Sequence, residues 1–249
     1  MKKTPWVVKF GGSLLSDQKA RRGFLKDAVI LSRKEPLVLV HGGGPEINAA
    51  LDKMGITSQW VKGRRVTGAD AMGVVEGVLS GTVNKNLVGE LQALGVLAVG
   101  LSGRDGGTLL AKPVPDLGRV GEPSRVKTDL LLVLLGAGYL PVLSSVAFGK
   151  DHQSLNVNAD EVAATVAMGL KSRRLIYLTD TAGVLDAHKK TIPEIRVRDI
   201  KKLIDTGVIT GGMIPKILSC RRAILHGVQE INIIDGRAGL GKRVGTRIL

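Results

Sequence analysis

The sequence predicts a glycine-rich α/β fold in which a mostly parallel sheet is covered by helices on both faces. Apolar runs rich in Val, Leu and Ile recur with room for a helix between them. These runs are apolar almost throughout, as is typical of parallel strands buried on both faces. The 249 residues include 33 Gly, 44% hydrophobic residues and 3% aromatic residues. This composition excludes a disordered chain, a disulfide scaffold and a protein that stacks single-stranded bases, and the length favours one or two domains.

The predicted strands and helices follow one another in a regular order. Strands are predicted at 6–10, 37–40, 96–101, 140–146, 175–179 and 231–234. Apolar positions 47, 50, 51 and 54 have helical spacing after Pro45, and Gly55 follows as a stop. A second helix is predicted to start near Pro215 and to end before Gly227. Glycines and prolines between 103 and 127 interrupt this order and predict an inserted hairpin or lobe edge.

The charge of the chain is strongly positive and unevenly distributed. The net charge is +14, and residues 171–249 carry 16 Lys and Arg against 7 Asp and Glu. Such a surplus fits either a solvated face beside an anion site or a macromolecular partner. The single cysteine, Cys220, closes no internal disulfide, and no apolar run reaches the roughly 18–20 residues of a membrane span. We therefore expect a cytoplasmic protein.

Two glycine loops follow predicted strands and are candidate anion sites. In the first, Lys9 lies two residues before Gly11 and Gly12, at a strand end where ligands bind in open α/β sheets. An ordinary strand-end lysine before a glycine turn is the alternative. In the second, the run 42–44 enters a helix, whose first N–H groups and dipole favour a phosphoryl group or an oxyanion. Neither a Walker loop nor a dinucleotide fingerprint is present, so a P-loop ATPase and a standard dinucleotide site are not supported.

Two further segments combine polar residues with a predicted helix start. The segment 156–160 reads Asn-Val-Asn-Ala-Asp before a helix expected at 161–168, and its asparagines are either ligand contacts or helix caps. The segment 210–216 ends in Lys216, in the first turn of the second proline-started helix. A lysine there opposes the helix dipole, which is tolerated best when an anion lies nearby. His41, directly before the second glycine run, has no assigned role.

Ten ordered segments together make the chain similar to the amino acid kinase family. They are VVKFGGS (7–13), LVHGGGP (39–45), GRRVTGAD (63–70), LSGTVNKNL (79–87), AVGLSGRDGG (98–107), GYLPVLSS (138–145), LNVNADEVA (155–163), LTDTAGVLD (178–186), TGGMIPK (210–216) and GTRIL (245–249). The resemblance implies an open αβα sandwich. Within the family, the chain most resembles the members that phosphorylate the side-chain carboxylate of N-acetyl-L-glutamate with ATP.

The resemblance implies a role for each motif residue. Lys9 and Lys216 match the two catalytic lysines, and Asp160 matches the residue that orients both. Arg65 and Asn156 match substrate-binding residues, with Arg65 on the α-carboxylate. Backbone amides that bind the transferring phosphoryl group are expected at Gly11, Gly12, Gly43 and Gly44. Nucleotide contacts are expected at Asp180, Thr181, Gly183, Val184, Leu185, Thr210, Gly212 and Met213. Mg²⁺ is expected to be held mainly by phosphate oxygens. Asn84 and Lys85 are expected to be structural or near a dimer interface.

The resemblance also implies an organisation and leaves alternatives open. Residues 1–172 form an N-terminal lobe for substrate and dimerisation, and residues 173–249 a C-terminal lobe for ATP. Arginine-inhibited hexameric members have an extra helix before the first strand, whereas this chain reaches its first strand at Trp6. A homodimer without arginine inhibition is therefore expected. One alternative is a kinase of aminoadipate or glutamate linked to an acidic carrier protein, and another is a nucleic-acid-binding or regulatory protein on the same fold.

Overall fold

The computed structural model describes residues 3–61, 63–211, 213–240 and 245–249, with the side chain of residue 13 left out. The strands within these ranges are β1 (Trp6–Phe10), β2 (Leu37–His41), β3 (Gln59–Val61), β4 (Arg64–Val66), β5 (Ala98–Leu101), β6 (Leu109–Pro113), β7 (Val120–Val126), β8 (Leu140–Ser144), β9 (Val146–Phe148), β10 (Ser154–Val157), β11 (Arg174–Thr179), β12 (Glu194–Ile195), β13 (Glu230–Asp235) and β14 (Thr246–Ile248).

The helices of the same ranges lie between these strands along the chain, singly or in succession. The α-helices are α1 (Ser13–Ser16), α2 (Gln18–Ser32), α3 (Gly44–Lys53), α4 (Ala69–Glu76), α5 (Asn84–Ala93), α6 (Asp129–Gly136), α7 (Ala159–Gly169), α8 (Ile200–Asp205) and α9 (Met213–Leu225). A π-helical segment, Gly77–Val83, joins α4 to α5 without a break. None of the described helices is long and apolar enough to cross a membrane.

The central sheet has eight strands in the order β12, β14, β13, β11, β1, β2, β8, β5. All neighbours are parallel except β13 and β14, so the predicted mostly parallel sheet is confirmed. On one side of β1 the strands come from residues 37–144, and on the other side from residues 174–248. The sheet is therefore continuous across the expected lobe boundary at residue 172. The assignment of one ligand to each lobe stays a prediction.

Helices cover both faces of this sheet, as expected for an αβα sandwich. Val7 and Val8 are both fully buried because successive strand residues point to opposite faces. Val7 packs in a cluster with the apolar residues of α7 and α9, whereas Val8 packs in a cluster with Phe24, Leu25 and other residues of α2. Cys220 of α9 is fully buried in the first cluster, where burial raises the pKa of its thiol.

Some element boundaries differ from the predicted ones. The apolar run 140–146 contains two strands, β8 and β9, because the chain leaves the main sheet at Ser145, whose carbonyl accepts from the Val157 amide. Strand β5 begins at Ala98 rather than at 96. Helix α7 begins at Ala159, two residues before the predicted 161, because the side chain of Asn158 accepts the Asp160 amide at 2.8 Å and caps the helix.

The glycine- and proline-rich segment forms the predicted hairpin. Strands β6 and β7 pair antiparallel, and they close with β9 and β10 into a small four-stranded barrel. Strand β10 leads directly into α7. The barrel therefore brings Asn156, on β10, to the edge of the main sheet where β1 and β2 end.

Candidate active site

Two lysines from opposite ends of the sequence meet one carboxylate. Lys9 lies near the carboxyl end of β1, Asp160 in the first turn of α7, and Lys216 in the first turn of α9. The Lys9 ammonium lies 3.0 Å from Asp160 Oδ1, and the Lys216 ammonium donates a hydrogen bond to Oδ2. The side chains are only 13%, 20% and 12% exposed, in the order Lys9, Asp160, Lys216. The structure thus brings the three predicted catalytic residues together in a partly desolvated cluster.

The electrostatics of this cluster keep Asp160 ionised. Partial burial acts to raise the pKa of Asp160, but the ammonium groups of Lys9 and Lys216 outweigh it and hold that pKa well below its usual range. The N-terminus of α7 also favours a negative charge at this position. Both carboxylate oxygens therefore face cations, and Asp160 stays ionised between the two lysines.

Tyr177 contacts both Asp160 and Lys216, and the sequence analysis did not predict a role for it. It lies fully buried in β11, and its hydroxyl donates to the Asp160 carbonyl at 3.1 Å. The Lys216 ammonium lies 4.9 Å from the centroid of its ring, within the range of a cation–π contact. The sequence feature that could have indicated this contact is a single tyrosine in a strand of mainly aliphatic residues. A buried tyrosine hydroxyl usually has a hydrogen-bond partner.

The two predicted glycine loops lie side by side at the ends of β1 and β2. The Gly42 amide donates to the Phe10 carbonyl at 3.3 Å, which ties the loops together. A Cβ on Gly11 would lie 3.3 Å from both the Gly42 nitrogen and the Lys9 ammonium. Gly12 has φ = 66°, a left-handed conformation that favours glycine. The expected crevice between the loops is present.

One pocket collects most of the predicted substrate and phosphoryl residues. Its lining includes the side chains of Lys9, Asp160, Arg65 and Asn156 and the backbone of Gly12, Gly43 and Gly44. Gly11 and Lys216 are not part of this lining, although each contacts a residue that is. Asn158, the cap of α7, lines the pocket as well. The pocket therefore combines glycine backbone with the lysine and arginine cations.

Arg65 is held firmly by its neighbours on the pocket wall. Its side chain is buried, and its guanidinium donates to Ser58 Oγ and Asn48 Oδ1 while lying 4.5 Å from the centroid of the Trp60 ring. Burial lowers the pKa of Arg65, opposed by Asp52, but an arginine remains charged at any physiological pH. These contacts fix the orientation of the planar guanidinium group.

Asn156 and Arg64 make contacts at the rim of the same pocket. The amide of Asn156 donates to Thr67 Oγ1 at 3.1 Å. Arg64 forms an ion pair of 2.8 Å with Glu161, which links the β3–β4 hairpin to α7. Burial raises the pKa of Glu161, although Arg64 acts to lower it. This ion pair was not predicted, because its two residues are 97 positions apart.

The described residues among those expected to bind nucleotide lie outside that pocket. Residues 180–185 follow β11, and Thr210 precedes α9, where the Met213 amide donates to the Thr210 carbonyl. Thr181 Oγ1 donates to the Gly183 carbonyl at 3.3 Å. The side chain of Val184 is buried in the core, and its backbone amide donates to Thr246 Oγ1 at 2.7 Å. Gly212 lies outside the described residues. The nucleotide contacts stay predictions.

The donor set does not form a metal cage. In the described ranges, no group of three or more His, Cys, Asp or Glu side chains is arranged to hold a metal ion. The carboxylate of Asp160, which lines the pocket beside the glycine loops, has both oxygens directed at lysines. What the arrangement can do is bind and stabilise a highly charged anion through ammonium groups and backbone amides.

Comparison with known proteins gives the family. Residues 4–235 match the amino acid kinase family. The chain is 46% identical over 242 residues to the acetylglutamate kinase of Endomicrobium trichonymphae, covering 97% of each. It is 45% identical to that of Trichlorobacter lovleyi, covering 93% of this chain and 84% of the other.

Solved structures agree with this match. The protein smu.665 of Streptococcus mutans UA159 is 31% identical, with a TM-score of 0.87 and 98% of each chain covered. Giardia carbamate kinase, at 16% identity, shares the fold with a TM-score of 0.74, covering 100% of this chain and 99% of the other. With its sandwich fold and its paired lysines beside two glycine loops, the chain belongs to the amino acid kinase family.

Proposed function

We propose that this protein transfers the γ-phosphoryl group of ATP to the side-chain carboxylate of N-acetyl-L-glutamate, as a step of arginine biosynthesis. The products are N-acetyl-L-glutamyl 5-phosphate and ADP. The observation that carries the proposal is the Asp160 carboxylate with a lysine at each oxygen, beside a pocket lined by glycine backbone and Arg65. The 46% identity to a curated acetylglutamate kinase supports this choice of substrate.

The reaction needs charge stabilisation more than proton transfer. A side-chain carboxylate has an ordinary pKa of about 4.3, so it is already ionised at neutral pH and can attack directly. One carboxylate oxygen forms a bond to the γ-phosphorus while the bond to the bridging oxygen of ADP breaks, and ADP keeps that electron pair. The protein must align the two anions and stabilise the charge that spreads over the transferring group.

The cluster and the loops fit this task. Lys9 and Lys216 bring two positive charges to the ends of α7 and α9, and Asp160 prevents the two ammonium groups from separating. The amides of the glycine loops add directional donors that cost no reorganisation during the transfer. Because the acceptor and the γ-phosphate both carry negative charge, these groups reduce the repulsion that otherwise keeps them apart.

Substrate recognition is proposed for Arg65 and Asn156. The Arg65 fork, held by Ser58 and Asn48, is suited to the α-carboxylate of the substrate, and the Asn156 amide can both donate and accept hydrogen bonds. Both side chains line the pocket that contains Lys9. The distance between Arg65 and the lysines then selects the length of the substrate's side chain.

We propose ATP binding on residues 173–249 and substrate binding on residues 1–172. Strands β1 and β11 are parallel neighbours, so the loop at Asp180 and the loop at Gly11 leave the same edge of the sheet. The surplus of 16 cationic over 7 anionic residues in 171–249 supports a polyphosphate ligand there. Mg²⁺ would enter with ATP on its phosphate oxygens. A cytoplasmic homodimer completes the proposal.

The test is a coupled ADP-release assay with N-acetylglutamate, glutamate, aspartate and aminoadipate, and with hydroxylamine to trap the acyl phosphate. We expect turnover with N-acetylglutamate and much less with the other three. A carrier-linked kinase, which the names of the curated relatives do not favour, would turn over free N-acetylglutamate poorly. No acyl hydroxamate with any of the four would contradict the proposal.

A further inference from the structure

A buried histidine adjoins the second glycine loop without lining the pocket. His41 is the last residue of β2, and its side chain is 1% exposed. Its Nδ1 lies 2.9 Å from the Gly42 carbonyl oxygen, and its Nε2 lies 3.0 Å from Asn84 Nδ2. An amide nitrogen can only donate, so Nε2 accepts the bond from Asn84. The ring hydrogen therefore resides on Nδ1 and is donated to the Gly42 carbonyl.

Asn84 is itself fixed from several sides. It is fully buried at the start of α5, where its Nδ2 also donates to the Val142 carbonyl of β8 at 2.9 Å. The Lys85 ammonium donates to its Oδ1 at 3.2 Å and to the Gly100 carbonyl at 3.1 Å, so the amide cannot be turned around. A Cβ on Gly100 would lie 1.9 Å from Asn84 Oδ1. The asparagine thus dictates which nitrogen of His41 carries the hydrogen.

This contact controls a backbone amide of the glycine loop. The Gly42 carbonyl and the Gly43 N–H belong to one planar trans peptide and point in opposite directions. A bond that holds the carbonyl toward the buried His41 therefore directs the Gly43 N–H away from His41, and Gly43 lines the pocket. A peptide between two glycines has little intrinsic preference for this orientation, because neither residue has a Cβ.

We propose that His41, with Asn84 behind it, is a positioning residue that aims the Gly43 N–H at the transferring phosphoryl group. The inference rests on the proposed function and extends it to a residue that does not touch substrate. If the peptide turned over, a carbonyl oxygen would face the phosphoryl group instead of a donor. The defect would appear in kcat, since the amide matters most when charge develops during the transfer.

Two substitutions of His41 separate the roles of its nitrogens. The amide nitrogen of His41→Asn can take the place of Nδ1, so this variant keeps the bond to Gly42 and gives up the contact with Asn84. His41→Gln reaches the place of Nε2, so it keeps the contact with Asn84 and gives up the bond to Gly42. Each variant loses one hydrogen bond, and a merely structural role would therefore damage both to a similar extent.

The experiment compares kcat, both KM values and thermal unfolding of the two variants with the wild type. We expect kcat to fall about 10- to 100-fold in His41→Gln and only a few-fold in His41→Asn, with both KM values changed by less than about 3-fold. Equal kcat values in the two variants would overturn the inference while wild-type activity still supported the proposed function. An inactive wild type would overturn both.

A measurement on the wild type covers the case in which His41→Gln fails to fold. Long-range ¹H–¹⁵N NMR spectra of the histidine rings distinguish the two neutral tautomers and the imidazolium. We expect His41 to carry its hydrogen on Nδ1 alone at pH 7. An Nε2–H tautomer would remove the donor to Gly42, and an imidazolium would remove the acceptor for Asn84, so either form would overturn the inference.

Discussion

The ammonium group of Lys216 lies 4.9 Å from the centroid of the Tyr177 ring, and the same tyrosine donates its hydroxyl to the Asp160 carbonyl. Tyr177 is therefore a common support for the two groups whose ion pair joins α7 to α9. Its place in the middle of the buried strand β11 makes that support rigid.

Two substitutions of Tyr177 test this support. Tyr177→Phe keeps the ring and loses one hydrogen bond, so we expect kcat to stay within about 3-fold of wild type. Tyr177→Leu also loses the cation–π contact, worth about 1–2 kcal/mol at a desolvated site, and we expect kcat to fall about 10-fold. Steady-state kinetics and urea unfolding of both variants separate this effect from destabilisation. Equal kcat values in the two variants would show that the ring does not position Lys216.

Replacing either lysine of the cluster should mainly reduce the rate of phosphoryl transfer. We expect Lys9→Met and Lys216→Met each to lower kcat by about 10²- to 10³-fold, as is typical for a group that stabilises charge in the transition state. N-acetylglutamate affinity, measured by titration calorimetry, should change little. Lys201→Met removes an 85% exposed lysine that pairs with Asp205 and is the control. Near-normal kcat in both cluster variants would be incompatible with the mechanism.

Arg65→Lys keeps the charge but removes the planar fork. We expect the Kd of N-acetylglutamate to rise about 10- to 100-fold and that of ATP to stay nearly unchanged. Asn48→Ala is the matched variant, because it leaves Arg65 in place and removes one of its acceptors. Its effect on N-acetylglutamate binding should be smaller. Calorimetric titration measures the Kd of each ligand for both variants. An unchanged N-acetylglutamate Kd in Arg65→Lys would assign Arg65 a structural role.

The glycines of the second loop should differ in their tolerance of a methyl group. A Cβ on Gly43 would lie 2.9 Å from Leu79 Cδ2 and 3.4 Å from Val83 Cγ2, the two buried residues of the π-helical segment, whereas a Cβ on Gly44 would meet nothing within 4 Å. We expect Gly43→Ala to reduce the free energy of unfolding by about 1–3 kcal/mol and to reduce kcat. Gly44→Ala should leave stability near that of the wild type. Urea unfolding that ranks the two variants in the opposite order would contradict this packing argument.

Protonation of His41 should contribute to acid instability. Burial lowers the pKa of His41 from 6.5 to about 4, with Lys85 acting in the same direction and the Gly42 carbonyl against it. The unfolded chain therefore takes up a proton near pH 6.5, which the folded chain does not do until about pH 4. The stabilisation is complete above pH 6.5 and is lost as the pH falls toward 4, by about 3 kcal/mol at most.

The measurement compares urea unfolding of the wild type and His41→Asn between pH 7.5 and 4.5. Asparagine does not titrate, so the free energy of unfolding of this variant should fall less steeply with acid. All other titrating groups are common to the two proteins. Parallel pH dependences would show that His41 does not stay neutral in the folded state.

The sequence predicted the parts of the fold and site that depend on neighbouring residues. Buried strands are continuous apolar runs, and the loops after β1 and β2 contain glycines, of which Gly12 has a left-handed backbone and Gly43 has little room for a Cβ. Because parallel neighbours end at one edge of a sheet, the meeting of the two loops could be inferred as well. The approach of Lys9, Asp160 and Lys216 came from the family motifs, since no local pattern links residues so far apart.

The supporting contacts could not be predicted for the same reason. Asn84 donates hydrogen bonds to His41 and Val142, which are 43 and 58 positions away in the sequence. Tyr177 of β11 donates its hydroxyl to the Asp160 carbonyl of α7. Nothing near Asn84 in the sequence distinguishes a buried amide from a surface one. The start of α7 was misplaced by two residues because its capping asparagine could equally have been a ligand contact.

The central position of β1 has a consequence for synthesis of the protein. Val7 is registered with Val38 on one side and with Leu175 on the other. At a translation rate of about 5–20 residues per second, an early apolar strand waits on the order of ten seconds or more for its second neighbour. During that interval its unpaired edge can associate with other nascent chains. We therefore expect expression at low temperature, or with a chaperone that shields this edge, to raise the soluble yield.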